Sequence, residues 1–356
     1  MERLPMREDL PAERVPIKWR TTFCGKYRVF AMFLICSAVL IAAFAISAVW
    51  MERGGREWLD GAIGGLDDTG TTPENLESER EEGTDAPLDP DLPVEIPAGA
   101  TVITDMDLSA PSLGAAYIHN ETPYAPNVNA LLEQGVSTNQ TENVPVVLIL
   151  HTHTSEAYLP EGTRYVEGNL GDVTYSRDET QNVLAVGEVL CNTLQQKGIT
   201  AIHCTVMHDD PTLSGSYLRA AETVNAYLQA YPTIEYVIDL HRDAVTTSDG
   251  AFVRAVTEYD GEPVAQVMAV VGSDCNGTRH ERWRENLALA LQLRAALQQK
   301  GEGLCRPVSL RNSSYNQELA EYALILEIGT AANTVEEAKR AAALVGEALA
   351  NLIYGR

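Results

Sequence analysis

The chain has 356 residues, and its 26 Lys and Arg against 50 Asp and Glu leave a formal net charge of -24. That balance excludes a general nucleic-acid binder, which needs a basic footprint to displace counterions from phosphates. A hydrophobic content of 45% supports a real core, and six Cys are too few for a disulfide-built scaffold.

Taken in chain order, residues 1–28 carry seven Lys and Arg and precede an uncharged run, Val29–Met51, of 23 residues. At ~1.5 Å per residue such a helix is long enough to cross a hydrocarbon core of about 30 Å. The basic lead predicts residues 1–28 in the cytoplasm and a single pass through the cell membrane at 29–51, with the rest of the chain outside. A cleaved signal peptide is the competing reading, disfavoured by the length of both the apolar run and the basic lead. Residues 52–99 then hold 14 Asp and Glu against three Arg. They bury too little apolar surface to offset ordering entropy, which predicts an extended, self-repelling tether. Residues 100–143 regain apolar and aromatic anchors and read as an ordered arm packed on a following domain, 144–356.

Within that domain, β-branched runs alternate with amphipathic segments. Strands are expected at Val146–Leu150, Ile199–Cys204, Tyr236–Leu240, Phe252–Val256, Val267–Val271 and Ala323–Ile328. Helices are expected at Glu179–Lys197, Ser216–Tyr231, Arg279–Lys300 and Val335–Tyr354, with Lys197-Gly198 and Lys300-Gly301 as stops. The alternation predicts a three-layer α/β fold with a mostly parallel central sheet and flanking helices.

In such sheets chemistry gathers beyond the carboxyl ends of strands. Three strands run into polar residues there: Leu150 into His151-Thr-His153-Thr-Ser-Glu156, Leu240 into His241-Arg242-Asp243, and Leu326 into Glu327. Asp239 interrupts an otherwise apolar strand. Imidazoles with a carboxylate are the usual donors for catalytic zinc. His151 and His153 face one way if the strand continues; if it breaks, only one need bind. A Glu ending a buried strand needs a metal, a cation or a proton-transfer role, which makes Glu327 the general-base candidate. Its structural alternative is an ion pair with Arg242.

The segments VVLILHTHTSEAY (146–158), YVIDLHRDA (236–244), SYNQEL (314–319) and ALILEIGTAANTVEEA (323–338), with HNETPYAPNVNALL (119–132) ahead of them, form an ordered set. In these motifs the chain resembles the stage II sporulation protein P family of endospore-forming bacteria. Those are membrane-anchored peptidoglycan hydrolases related to the zinc N-acetylmuramoyl-L-alanine amidases. The resemblance covers about residues 115–356. It implies an amidase-like fold, one Zn2+ ion, and His151 and His241 as ligands. Glu156 is the chosen third ligand, with His153 and Glu179 as alternates, and Glu327 is the catalytic glutamate. By motif position Arg242, Asp243, Tyr315 and Asn316 support the site or position substrate. The implied reaction cuts the N-acetylmuramoyl–L-alanine amide, with peptide cross-links as a second target. The implied setting is the septal membrane during engulfment, beside stage II sporulation proteins D and M, with peptidoglycan as substrate. Two other readings stay open: an HxH metal-dependent hydrolase of another class, and an inactive wall-binding module.

The remaining histidines, His119, His203, His208 and His280, stand outside the motifs and read as structural or exposed. Cys191 and Cys204 read as small buried apolar groups.

Overall fold

The computed structural model describes residues 96–109, 117–135, 143–168 and 170–355. The chain divides into Met1–Leu88 and Asp89–Arg356, and every described residue lies in the second unit. The expected N-terminal segment, span and nearly all of the tether therefore lie outside the described residues. Among the described residues no helix is long and apolar enough to cross a membrane.

Among the described residues eleven strands run in chain order as β1 (Thr101–Met106), β2 (Ile118–Asn120), β3 (Val147–Leu150), β4 (Tyr165–Val166), β5 (Ala201–His203), β6 (Tyr236–Asp243), β7 (Phe252–Tyr259), β8 (Glu262–Ala265), β9 (Val267–Val271), β10 (Val308–Leu310) and β11 (Tyr322–Thr330). The helices are α1 (Val128–Glu133), α2 (Leu170–Thr174), α3 (Val183–Gln196), α4 (Ser216–Ala230), α5 (Trp283–Lys300) and α6 (Val335–Ile353). The fold is mixed α/β. Its main sheet has seven strands in the order β2-β10-β9-β11-β6-β3-β5. Five of the six neighbouring pairs are parallel, and β9 runs antiparallel to β11, so two parallel blocks meet head to tail. The central strands are buried on both faces, which is why they read as continuous apolar runs.

Strand parity sorts the sheet into two faces. Val147, Ile149, Ile238, Leu240, Leu324 and Leu326 belong to the large core under α3, α5 and α6. Leu148, Leu150, Val237 and Ala323 point the other way and meet Ala220 and Val224 of α4. Met268, Val270 and Ile325 on that second face pack with Tyr315.

A second sheet of four strands, β4-β1-β7-β8, was not legible in the sequence. Its β7–β8 hairpin turns at Asp260 and Gly261, both with positive φ (55° and 81°), the geometry of a two-residue turn that Asp-Gly favours. Arg254 of β7 reaches the buried Glu337 of α6 with Nε 3.0 Å from Oε1, which ties this sheet to the main body. Residues 118–133 lie against the same body. Here β2 edges the main sheet, Tyr124 stacks on Trp283 at 4.8 Å, and the Gln292 amide donates to the Leu131 carbonyl of α1.

Helix α5 starts at Trp283 rather than Arg279 and ends at Lys300 as expected. Helix α3 starts at Val183 rather than Glu179, because Asn182 caps it by accepting from Leu184 N–H. Gly198 ends that helix with φ 85°, a left-handed stop, whereas Gly301 is extended at φ -164° and stops α5 without one.

Candidate functional site

Two strands that run past their expected ends build the site. β6 continues through His241-Arg242-Asp243, and β11 continues through Glu327 to Thr330. Glu327 and His241 are direct register partners on adjacent parallel strands, and Asp239 lies two residues before His241 on the same face. The polar residues thus sit on the strands' second face, not beyond their ends.

The chain leaving β3 supplies the rest. Thr152 turns it by donating its backbone N–H to Asp239 Oδ1 (2.7 Å) and its hydroxyl to Oδ2 (2.6 Å). His153 then packs edge-on to His241, ring centroids 5.2 Å apart at 85°. Glu156 Oε2 accepts the Arg242 backbone N–H at 3.1 Å and lies 3.3 Å from His241 Nδ1. On the other side of that ring, Nε2 is 3.0 Å from Asp239 Oδ1, off the direction of a hydrogen bond.

The electrostatics follow from burial and these contacts. Burial opposes protonation of His241, but the adjoining Asp239 and Glu156 carboxylates outweigh it and hold the ring charged well above its ordinary pKa. Burial alone would raise Asp239; the His241 charge and the Thr152 hydrogen bonds bring it down to about 2. Glu156 is lowered in the same way, His241 overcoming desolvation. Glu327 goes the other direction, to about 8, because burial and the nearby Glu156 charge outweigh the pull of His241. Its Oε2 is buried with no hydrogen-bond partner. An acid held near neutrality, unpartnered and beside a charged imidazole, suits proton transfer.

His151 is placed differently from the expectation that made it a ligand. Parity carries it to the α3 face, away from His241, where Nδ1 meets the Leu240 carbonyl at 2.8 Å and Nε2 meets His203 Nε2 at 2.8 Å. Burial and the neighbouring His203 lower it to about 3, so the ring stays neutral. His151 and His153 consequently do not face one point, as a shared HxH site would require. Glu179 is exposed in the turn before α3.

Arg242 does not pair with Glu327. Its guanidinium donates to the carbonyls of Ala157 (3.1 Å) and Thr174 (2.7 Å) and lies 5.0 Å from the Tyr175 ring centre, so it braces the loop that carries Glu156. Asp243 is bound to Arg306 at 2.7 Å. Tyr315 lies beside Tyr217, centroids 5.8 Å apart, and the Asn316 amide donates to the Tyr217 carbonyl at 2.7 Å. Sequence reading named neither Tyr217 nor a site role for Asp239; an acid inside an apolar strand was the available signal for the second.

His153, and His241 once a metal displaces its proton, offer ring nitrogens and Glu156 a carboxylate, donors that zinc favours, and His241 Nε2 is a buried polar atom without a hydrogen-bond partner. In kind these residues fit a zinc ion. Among the described residues no three His, Cys, Asp or Glu side chains are drawn around a common point.

A model of the family described as stage II sporulation protein P matches residues 74–350, more than three quarters of the chain. The chain belongs to that family. It is 28% identical over 225 residues to the stage II sporulation protein P of Bacillus subtilis (strain 168), covering 60% of this chain and 52% of that one. The chain thus spans about half the length of this curated relative. Solved structures that resemble it include the apo N-acetylmuramyl-L-alanine amidase of Mycobacterium abscessus, at 14% identity and TM-score 0.35, covering 59% of this chain and 98% of that one. The catalytic domain of an N-acetylmuramoyl-L-alanine amidase from Bacillus (Paenibacillus) polymyxa var. colistinus matches at 11% identity and TM-score 0.37, covering 60% and 100%.

Proposed function

We propose that this protein is a peptidoglycan hydrolase of sporulation that cleaves the N-acetylmuramoyl–L-alanine amide with the help of zinc. The observation that carries the reading is Glu327: a half-buried carboxyl in register with His241, its Oε2 buried without a hydrogen-bond partner, inside a chain of this family. His153, Glu156 and His241 would hold the ion, in place of the His151, Glu156 and His241 set. What zinc supplies when bound is polarisation of the scissile carbonyl and a lower pKa for water.

The chain's own residues do the rest. Glu327 takes the proton of the attacking water and returns it to the leaving amine. Asp239 and Glu156 hold His241 from both sides, and Arg242 pins Glu156 through its backbone N–H. Thr152 fixes the turn that swings His153 onto the catalytic face.

The proposed setting keeps residues 1–28 in the cytoplasm, 29–51 in the membrane, 52–99 as a tether and 100–143 as an arm before the catalytic region 144–356. It would face the wall at the septum, beside stage II sporulation proteins D and M. Purified peptidoglycan incubated with the protein, with zinc and then with a chelator, tests the reading by the masses of the released fragments. Zinc-dependent separation of stem peptides from glycan is expected, and cut cross-links would add the second activity. Intact peptidoglycan with zinc bound would overturn it.

A further inference from the structure

The N-terminus of α4 touches His153 in two ways. Ser216, the first residue of α4 and buried, places Oγ 3.2 Å from His153 Nδ1. Tyr217 sets its ring edge-on to the same imidazole, centroids 5.5 Å apart at 90°.

This helix start is itself held. Gly215 turns the chain into it with φ 81°, and Asn316 clamps the Tyr217 carbonyl from the neighbouring loop. Asn316 and the preceding Tyr315 are both left-handed, with φ 61° and 55°. Two consecutive non-glycine residues in that region persist where surrounding contacts over-determine them.

We infer that Ser216 and Tyr217 are positioning residues for His153: the imidazole donates Nδ1–H to Ser216 Oγ, so Nε2 carries the lone pair, and the Tyr217 ring fixes the plane of that lone pair. A neutral imidazole carries a hydrogen on one nitrogen and a lone pair on the other. The hydrogen bond at one nitrogen selects the tautomer and orients the ring for a metal at the other. A serine hydroxyl donating into Nδ1 would put the hydrogen on Nε2 and block it. The inference rests on the zinc reading above, which gives the lone pair its purpose and the hydrogen bond its direction.

The test uses the full chain labelled with 15N at its seven histidines. Long-range proton–nitrogen spectra report tautomers, and His153→Gln assigns the signal. Metal-free protein should show His153 with Nδ1 protonated. Ser216→Ala should lose that bias and weaken zinc binding about 10- to 100-fold in competition with a chelating dye. Ser216→Thr, which keeps the hydroxyl, should restore both. Tyr217→Phe, which keeps the ring, should bind zinc like the parent, whereas Tyr217→Leu should bind several-fold more weakly. An Nε2-protonated His153 in the parent, or a Ser216→Ala variant with parental tautomer and zinc affinity, would overturn the inference. If the parent binds no zinc, the zinc reading falls alone, and the metal-free comparison of parent with Ser216→Ala still decides this one.

Discussion

At the residue scale the decisive quantity is which face of a strand a side chain takes. Glu327 and His241 share a face because they are register partners, and His153 reaches it only after the Thr152 turn. His151, one position beyond Leu150, remains on the opposite face against Gly187 and His203. This separates the two histidines by experiment. His153→Ala should lose stoichiometric zinc while keeping its fold, whereas His151→Ala should keep zinc and lower the urea midpoint. The reverse pattern in metal analysis and unfolding curves would return the ligand role to His151. Glu327→Gln is nearly isosteric and removes no hydrogen bond from Oε2. It should keep fold and metal but slow hydrolysis about 10²- to 10⁴-fold, the range for a positioned acid–base group, measured as fragment release from peptidoglycan.

At the element scale, helices α3 and α4 clamp the sheet and set how close the side chains come. Gly187 in α3 is there because space is absent: a Cβ would come within 2.7 Å of both His151 and His203 Nε2. Gly187→Ala should therefore destabilise the fold by about 1 to 3 kcal/mol, as overpacking does, despite alanine's better helix propensity. A midpoint equal to the parent's in chemical unfolding would show that the paired rings can give way. Helix α6 is fixed at its start by a full capping box, Thr334 with Glu337, and the same Glu337 holds Arg254 of the second sheet. One acid thus joins a helix terminus to a neighbouring sheet, a link no local pattern announces.

At the scale of the whole molecule, three helices meet at one acid. Glu347 of α6 lies 2.8 Å from Lys197, just after α3, and 2.7 Å from Lys300, at the end of α5. The Lys197 and Lys300 hydrogen bonds bring its pKa down from 4.5 to about 2. A folded-state pKa below the unfolded one contributes stability that is present above about pH 4.5 and is lost as pH falls toward 2. The groups are partly exposed, so solvent screens the effect and it is modest. Glu347→Gln should be less stable than the parent at pH 7, and the difference in thermal midpoint should shrink between pH 4.5 and pH 2. A constant difference across that window would show that the ammonium groups contribute no net charge pairing.

The sequence alone was enough to specify the alternation of strands and helices in 144–356, the mostly parallel main sheet and the polar motifs that carry the site. Those signals are local: side-chain periodicity, helix stops and runs of β-branched residues survive without knowing what lies opposite. Glu156, His241 and Glu327, which the fold brings together, stood out for the same reason, as charged or titratable groups next to strands too apolar to tolerate them idly. The antiparallel join of β9 to β11, the four-stranded sheet, the approach of Asp239 to His241 and the placement of His151 and His153 on opposite faces were decided by tertiary structure. Each depends on register, on strand continuation past an expected end, or on which helix covers which face, and these are fixed by contacts between residues far apart in the chain.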